Sequence, residues 1–278
     1  MKNVLECSNV CKKYNDNYIL NNIDLNIKEG EIVGLIGKNG VGKTTLIKVI
    51  LNLTNIDDGI INICGYNKDI NSLKSIGAII ENPTFYDYLT GYDNLYLESD
   101  NIDNITGVID LLNLHSYINK KVKNYSLGMK QKLGIACTLV NNPKLVILDE
   151  PTNGLDPEAI IDLRNILFNL KKEKVGILIS SHNLKELESF CDSIYLLNKS
   201  KLEKIENPAN DYYLISVDSV DIHDNNLFEI VDKNTLKTTE LIKTIDYLKD
   251  NNINILSIKN NLESLEDKFT SLVGVQND

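Results

Sequence analysis

Apolar residues along this chain come in three arrangements. Residues 31–36, 76–80, 144–148, 175–181 and 193–197 are short continuous apolar runs. Runs of that length, bounded by turn residues, predict buried strands. Residues 4–10 and 18–27 alternate, as half-buried strands do, and 28–31 turn the chain into the next strand. Residues 60–63 follow the turn 54–59 as a further strand. Helical spacing fills the gaps at 46–50, 132–140, from the turn at 153–157 through Leu170, and 184–190. From Leu89 to about Lys121 the pattern is helical and polar, with apolar positions at Leu95, Leu97, Ile109, Leu112 and Leu114; Asp103 can start one of its helices. This stretch reads as a helical insertion into an α/β core, and 193–197 reads as that core's last strand. Residues 207–211 mark a plausible boundary. Beyond it come strands at 212–217 and 227–231, a helix at 239–249, a strand at 253–258 and a helix at 264–272, a small α/β unit.

The strand 31–36 runs into Gly37-Lys38-Asn39-Gly40-Val41-Gly42-Lys43-Thr44-Thr45 and then into a helix. The loop fits G-x-x-x-x-G-K-[ST] in the strand–loop–helix context that motif requires. Its glycines let backbone N–H groups close around phosphate oxygens, and the helix N-terminus adds partial positive charge. Lys43 is expected to reach the β- and γ-phosphates, and the Thr44 hydroxyl to sit on Mg²⁺.

The run at 144–148 ends in Asp149-Glu150, at the strand edge where α/β sheets bind ligands. Asp149 can reach the metal directly or through water. Glu150 can orient or deprotonate an attacking water. The run at 175–181 ends in His182, which can hydrogen-bond a γ-phosphate or lie solvated on the surface. His115 and His223 sit in polar sequence with no partner in view. Ser126 is placed as an N-cap, or to hold an anion at that helix end. Tyr14 either stacks on a base or is a half-buried strand tyrosine.

Composition narrows the class. The net charge of −10 argues against a general nucleic-acid binder. Residues 211–278 carry 13 Asp or Glu against 6 Lys or Arg, so the excess acidity lies mostly in a solvated last quarter. Five scattered cysteines with no C-x-x-C pair suggest neither zinc nor a disulfide framework, and a reducing cytoplasm. No signal-peptide core or long apolar span is present, so membrane work would need another chain.

Residues 1 to about 205 resemble the ATP-binding cassette ATPases, the motor subunits of ABC transporters, with five motifs in order. The resemblance implies a P-loop α/β core with an N-terminal β-subdomain and a helical subdomain at about 82–140. The ATPase domain would be 1–208, with an accessory α/β domain at 209–278. It implies that Tyr14 stacks on adenine, 37–45 holds the phosphates, and Asp149 holds Mg²⁺. Glu150 is then the catalytic carboxylate, Asp156 a dimer contact and His182 the switch histidine. The signature loop, normally L-S-G-G-Q, is Tyr125-Ser126-Leu127-Gly128-Met129 and keeps Ser126 and Gly128. The glutamine that usually touches Mg²⁺ and water is replaced by Glu81. Residues 76–86 look like exporters that give resistance or immunity to bacitracin and lantibiotics, and Ser264-Leu265-Glu266-Asp267-Lys268-Phe269 is similar to tails of that exporter group.

The resemblance therefore implies a peripheral cytoplasmic ATPase using ATP and Mg²⁺. It would pair with a second copy head to tail, dock a separate polytopic permease near Glu81–Leu97, and bind no nucleic acid. A soluble ABC ATPase of translation or DNA repair is the alternative, but those carry two cassettes or a long coiled coil. This chain has one phosphate loop and no sustained heptads. A nucleotide-binding pseudo-enzyme is disfavoured because Lys43, Thr44, Asp149, Glu150 and His182 are all present.

Overall fold

The computed structural model describes residues 2–205, 212–218, 227–232, 234–251 and 253–261. The chain forms two compact units, Met1–Ile205 and Glu206–Asp278.

The first unit is built on a six-stranded sheet. Its strands are β3 (Ile32–Ile36), β6 (Ile76–Ile79), β7 (Leu145–Asp149), β8 (Gly176–Ser181), β9 (Ser193–Asn198) and β10 (Lys201–Ile205), in the order β10-β9-β3-β8-β7-β6. The first five are parallel, and β10 returns antiparallel to β9. Every residue of β3, β7 and β8 is buried, which is why these strands read as unbroken apolar runs. β10 corrects the expectation that 193–197 ends the core. Its short Lys-Leu-Glu-Lys-Ile sequence is mostly exposed and lacks a hydrophobic signal.

A second sheet, β2-β1-β4-β5, is antiparallel, from β1 (Asn3–Tyr14), β2 (Asn17–Lys28), β4 (Asp58–Ile63) and β5 (Tyr66–Asn67). Helix α1 (Lys43–Ile50) shares one apolar core with both sheets, through Leu46, Ile47, Val49 and Ile50 against Leu20, Ile23, Ile63, Val33 and Leu178. The helix is thus anchored at the mouth of β3.

The expected helical stretch 89–121 resolves into α3 (Gly91–Glu98) and α4 (Asp103–Leu112), with a single 3₁₀ turn at Val122–Asn124. A one-turn helix α2 (Ile70–Leu73) precedes β6. Thr90 caps α3 with Asp93 in a reciprocal capping box, and Asn113 in the left-handed region ends α4. His115, expected to lack a partner, is 2.7 Å from Asp110. The α4 C-terminus folds back over five residues, which linear reading does not show. Helix α5 (Leu127–Leu139) packs on β6, where a Cβ on Gly77 would lie 2.2 Å from the Thr138 carbonyl oxygen. Helices α6 (Pro157–Lys172) and α7 (Leu184–Phe190) complete the unit.

The second unit contains an antiparallel sheet, β12-β13-β11-β14, and helix α8 (Leu241–Asp250). The strands are β11 (Tyr212–Val217), β12 (Glu229–Asp232), β13 (Thr235–Thr238) and β14 (Ile255–Asn261). Ile215, Val217, Phe228, Leu236 and Leu248 form its core. β13 was not expected, since Thr235-Leu236-Lys237-Thr238 offers one apolar residue. The helix expected at 264–272 and His223 lie outside the described residues.

Candidate nucleotide site

The parallel register brings the carboxyl ends of β3, β7 and β8 together. Ile36 stands beside Ser181, and Asp149 beside Ser180. The loop after β3 therefore opens next to Asp149-Glu150 and His182, in the crevice where parallel sheets bind ligands.

Gly42 sits at the N-cap of α1 with φ 117°, a conformation that L side chains avoid, and a Cβ there would lie 2.9 Å from Ile19. No side chain caps this helix, so its first N–H groups are left for an anion. Lys43 is 6% exposed and donates to the Gly37 carbonyl at 2.8 Å. The Thr44 hydroxyl donates to Asp149 Oδ2 at 2.8 Å, and Ser180 donates to Asp149 Oδ1 at 2.5 Å. Asp149 is 2% exposed and fixed from both sides.

Glu150 follows in a left-handed conformation, φ 51°, its N–H donating to the Ser180 hydroxyl at 2.9 Å. Its Oε2 is 2.8 Å from His182 Nδ1, and its Oε1 is 3.1 Å from Lys43 Nζ, an ion pair without hydrogen-bond alignment. Burial opposes ionisation of Glu150. The hydrogen bond to His182 and the nearby Lys43 ammonium outweigh it and hold its carboxyl below the ordinary value. A cavity of about 240 Å³ is lined by Asn39, Gly40, Gly42, Lys43, Thr44, Thr45, Glu150, Asn153 and His182. Glycine amides, a buried lysine and a serviceable carboxylate around one concavity fit a nucleotide phosphate chain. A Thr44–Asp149 pair beside it fits a hard divalent cation.

Residues 20–153 match the ABC transporter family. The chain is 34% identical to the bacitracin transport ATP-binding protein BcrA of Enterococcus faecalis, over 99% of this chain and 97% of that protein. The chain belongs to the ABC transporter ATP-binding proteins. It is 41% identical to the lantibiotic transport ATP-binding protein SrtF of Streptococcus pyogenes, over 72% of this chain and 89% of that one. A solved ATP-binding subunit of an ABC transporter shares the fold at a TM-score of 0.66 and 30% identity, covering 73% of this chain and 90% of its own. As a member of this family the chain is an ATPase that binds ATP. Among the described residues no helix is long and apolar enough to cross a membrane.

Within this ABC subunit the expected residues fall into two groups. Lys43, Thr44, Asp149, Glu150 and His182 converge with the loop glycines; Lys38 is exposed and Val41 half-buried on the same loop. Ser126, Gly128 and Asp156 line none of the cavity. Ser126 caps α5 by accepting from Met129 N–H at 3.2 Å, and Asp156 caps α6 by accepting from Ala159 N–H at 2.8 Å. Both are exposed, and Gly128 lies against Ala159. Tyr14 also lies outside the lining; it is 50% exposed, with Lys12 Nζ 5.3 Å from its ring centre. Glu81 is exposed at φ 61° and makes no hydrogen bond or ion pair among the described residues.

Sequence reading missed Asn153, Ser180, Thr152 and Glu186. The one available signal was the pair of serines closing an apolar strand before His182. Thr152 donates to Glu186 Oε2 at 2.6 Å, and Ser181 donates to the same oxygen at 3.2 Å. These partners are 34 and 5 residues away, and only folding pairs them.

Proposed function

We propose that this ATPase drives a peptide-antibiotic exporter, working as a pair of identical subunits beneath a separate permease at the cytoplasmic face of the membrane. The observation that carries the reading is the chain of contacts from Lys43 through Glu150 to His182 at the phosphate cavity. The relatives named for bacitracin and lantibiotic transport support the substrate class.

Glycine amides and Lys43 bind the phosphates. Thr44 and Asp149 would hold a magnesium ion, which would supply neutralisation of the charge developing on the phosphates. Glu150 takes the proton of an attacking water, and His182 keeps that carboxylate oriented. With Glu150 ionised, Nδ1 carries the proton of the bond between them and donates it. Exposed Ser126 and Asp156 and half-buried Gly128 suit contact with the partner's nucleotide, since none reaches the cavity of its own chain. Tyr14 is exposed and free to stack on adenine. A groove of about 530 Å³ between β6, the 80–85 loop and α5, lined by Ile79, Pro83, Phe85, Glu98 and Cys137, suits the permease contact. Residues 209–278 form an accessory domain.

The test is co-expression with a candidate polytopic permease, such as one encoded beside this gene if one is present there, in a susceptible bacterial host. Wild type is expected to raise the inhibitory concentration of bacitracin or a lantibiotic, and Glu150→Gln to abolish the gain. Equal susceptibility with and without the pair would overturn the exporter reading.

A further inference from the structure

We propose that Glu186 is a positioning residue for hydrolysis: its carboxylate ties the turn after Glu150 to the loop carrying His182, and so sets the His182–Glu150 contact.

Glu186 lies in the first turn of α7, half-buried. Its Oε2 accepts from Thr152 Oγ1 at 2.6 Å and from Ser181 Oγ at 3.2 Å; its Oε1 accepts from Asn183 Nδ2 at 3.1 Å. Thr152 is two residues beyond Glu150 and precedes Asn153, which lines the cavity. Ser181 and Asn183 flank His182. One carboxylate therefore holds both loops, and the His182–Glu150 bond at 2.8 Å closes the ring from the other side.

Both hydroxyls are buried, Thr152 at 6% exposure and Ser181 at 2%. Among the described residues Glu186 is the acceptor of the Thr152 hydroxyl, and no cation pairs with Glu186. A carboxylate accepting from neutral hydroxyls makes strong, directional bonds, so the loops are held by geometry rather than by net charge. A residue acting only as part of the α7 cap would accept from Asn183 and have no need of Thr152. A glutamate at this third helical position would reach the N-cap backbone N–H in a capping box. Here that N–H donates instead to Ser181 Oγ at 3.0 Å, and the glutamate is turned toward the Glu150 turn.

The inference rests on Glu150 and His182 acting at the γ-phosphate, so Glu150→Gln is measured alongside. The test uses the purified full chain with Mg-ATP and reads kcat, KM and the thermal midpoint for Thr152→Val, Thr152→Ser, Glu186→Ala and the Thr152→Val/Glu186→Ala double variant. Thr152→Val is expected to lower kcat about 3- to 10-fold, the scale of one net hydrogen bond felt through a positioning contact, with KM changed less than about twofold. Thr152→Ser restores the hydroxyl and keeps kcat near wild type. The double variant is expected to be no slower than Glu186→Ala, because both changes cut one tie. Wild-type kcat in Thr152→Val overturns the proposal. So do multiplying losses in the double variant, or a fall in kcat that Thr152→Ser does not rescue. If Glu186→Ala does not fold, the Val–Ser comparison at Thr152 decides alone. Normal turnover in Glu150→Gln would instead remove Glu150 from its role and leave Glu186 to be judged by its own variants.

Discussion

Glu150 and Lys43 neutralise one another across 3.1 Å, with Lys43 6% and Glu150 17% exposed at the side chain. ATP phosphates compete with Glu150 for the same ammonium. Glu150→Gln is therefore expected to slow hydrolysis about 10²–10⁴-fold, the usual contribution of a general base. ATP affinity should be kept or raised, because Lys43 loses its anionic competitor. Leaving Lys43 with a neutral partner should lower the stability of the nucleotide-free protein by about 1–3 kcal/mol. Single-turnover hydrolysis, equilibrium nucleotide binding and thermal unfolding check the three parts.

The same pair sets a pH dependence. Glu150 titrates below its ordinary 4.5 in the fold, despite burial, because His182 and Lys43 favour the ionised form. A depressed carboxylate stabilises the fold above its unfolded pKa, and the gain disappears as pH falls through the folded value. The stability difference between wild type and Glu150→Gln should be constant near neutrality and shrink below about pH 4.5. Urea unfolding from pH 7 to pH 3 measures it; a difference that grows in acid would contradict the assignment.

Gly77 is where α5 approaches β6. An alanine Cβ would meet backbone, the Thr138 carbonyl oxygen, at 2.2 Å. The helix must move, so Gly77→Ala is expected to cost about 1–3 kcal/mol, the range for overpacking. Thermal unfolding of the full chain reads this directly.

Gly128 offers a test of the proposed subunit contact. A Cβ there lies 3.3 Å from the Ala159 methyl, so Gly128→Asp needs only a slight adjustment within its own chain. In the proposed head-to-tail pair its charge would face the partner's γ-phosphate and oppose closure. The variant is expected to bind ATP and fail to dimerise on it, by light scattering. Normal hydrolysis by the purified variant dimer would exclude the head-to-tail arrangement.

Glu81 stands apart from the cavity, exposed and unpaired among the described residues. We expect it to relay the state of the site to the permease, with ligation of Mg²⁺ or water secondary. An ionised carboxylate only accepts hydrogen bonds, whereas an amide also donates. Glu81→Gln and Glu81→Ala should leave basal ATPase within about twofold while antibiotic resistance falls, most in the alanine variant. Unchanged resistance in both would refute the relay. A collapse of hydrolysis as deep as that of Glu150→Gln would make Glu81 a chemical participant.

The chain by itself determined whatever depends on neighbours in sequence. β3, β7 and β8 announce themselves because strands buried on both faces need apolar residues throughout. The phosphate loop is legible because glycines, Lys43 and Thr44 act from one contiguous turn. Asp149, Glu150 and His182 are legible because a polar residue closing an apolar strand lies at the sheet's ligand edge. Tertiary structure alone decided which of these groups meet. The β7–β8 register sets Asp149 beside Ser180, and the His182–Glu150 contact spans 32 residues. Thr152, Ser181 and Glu186 are ordinary in sequence, and only the fold converges them on one carboxylate oxygen. β10 and β13 escaped notice for the same reason: their short, mixed sequences carry little burial signal, and neighbouring strands supply the backbone partners that make them strands.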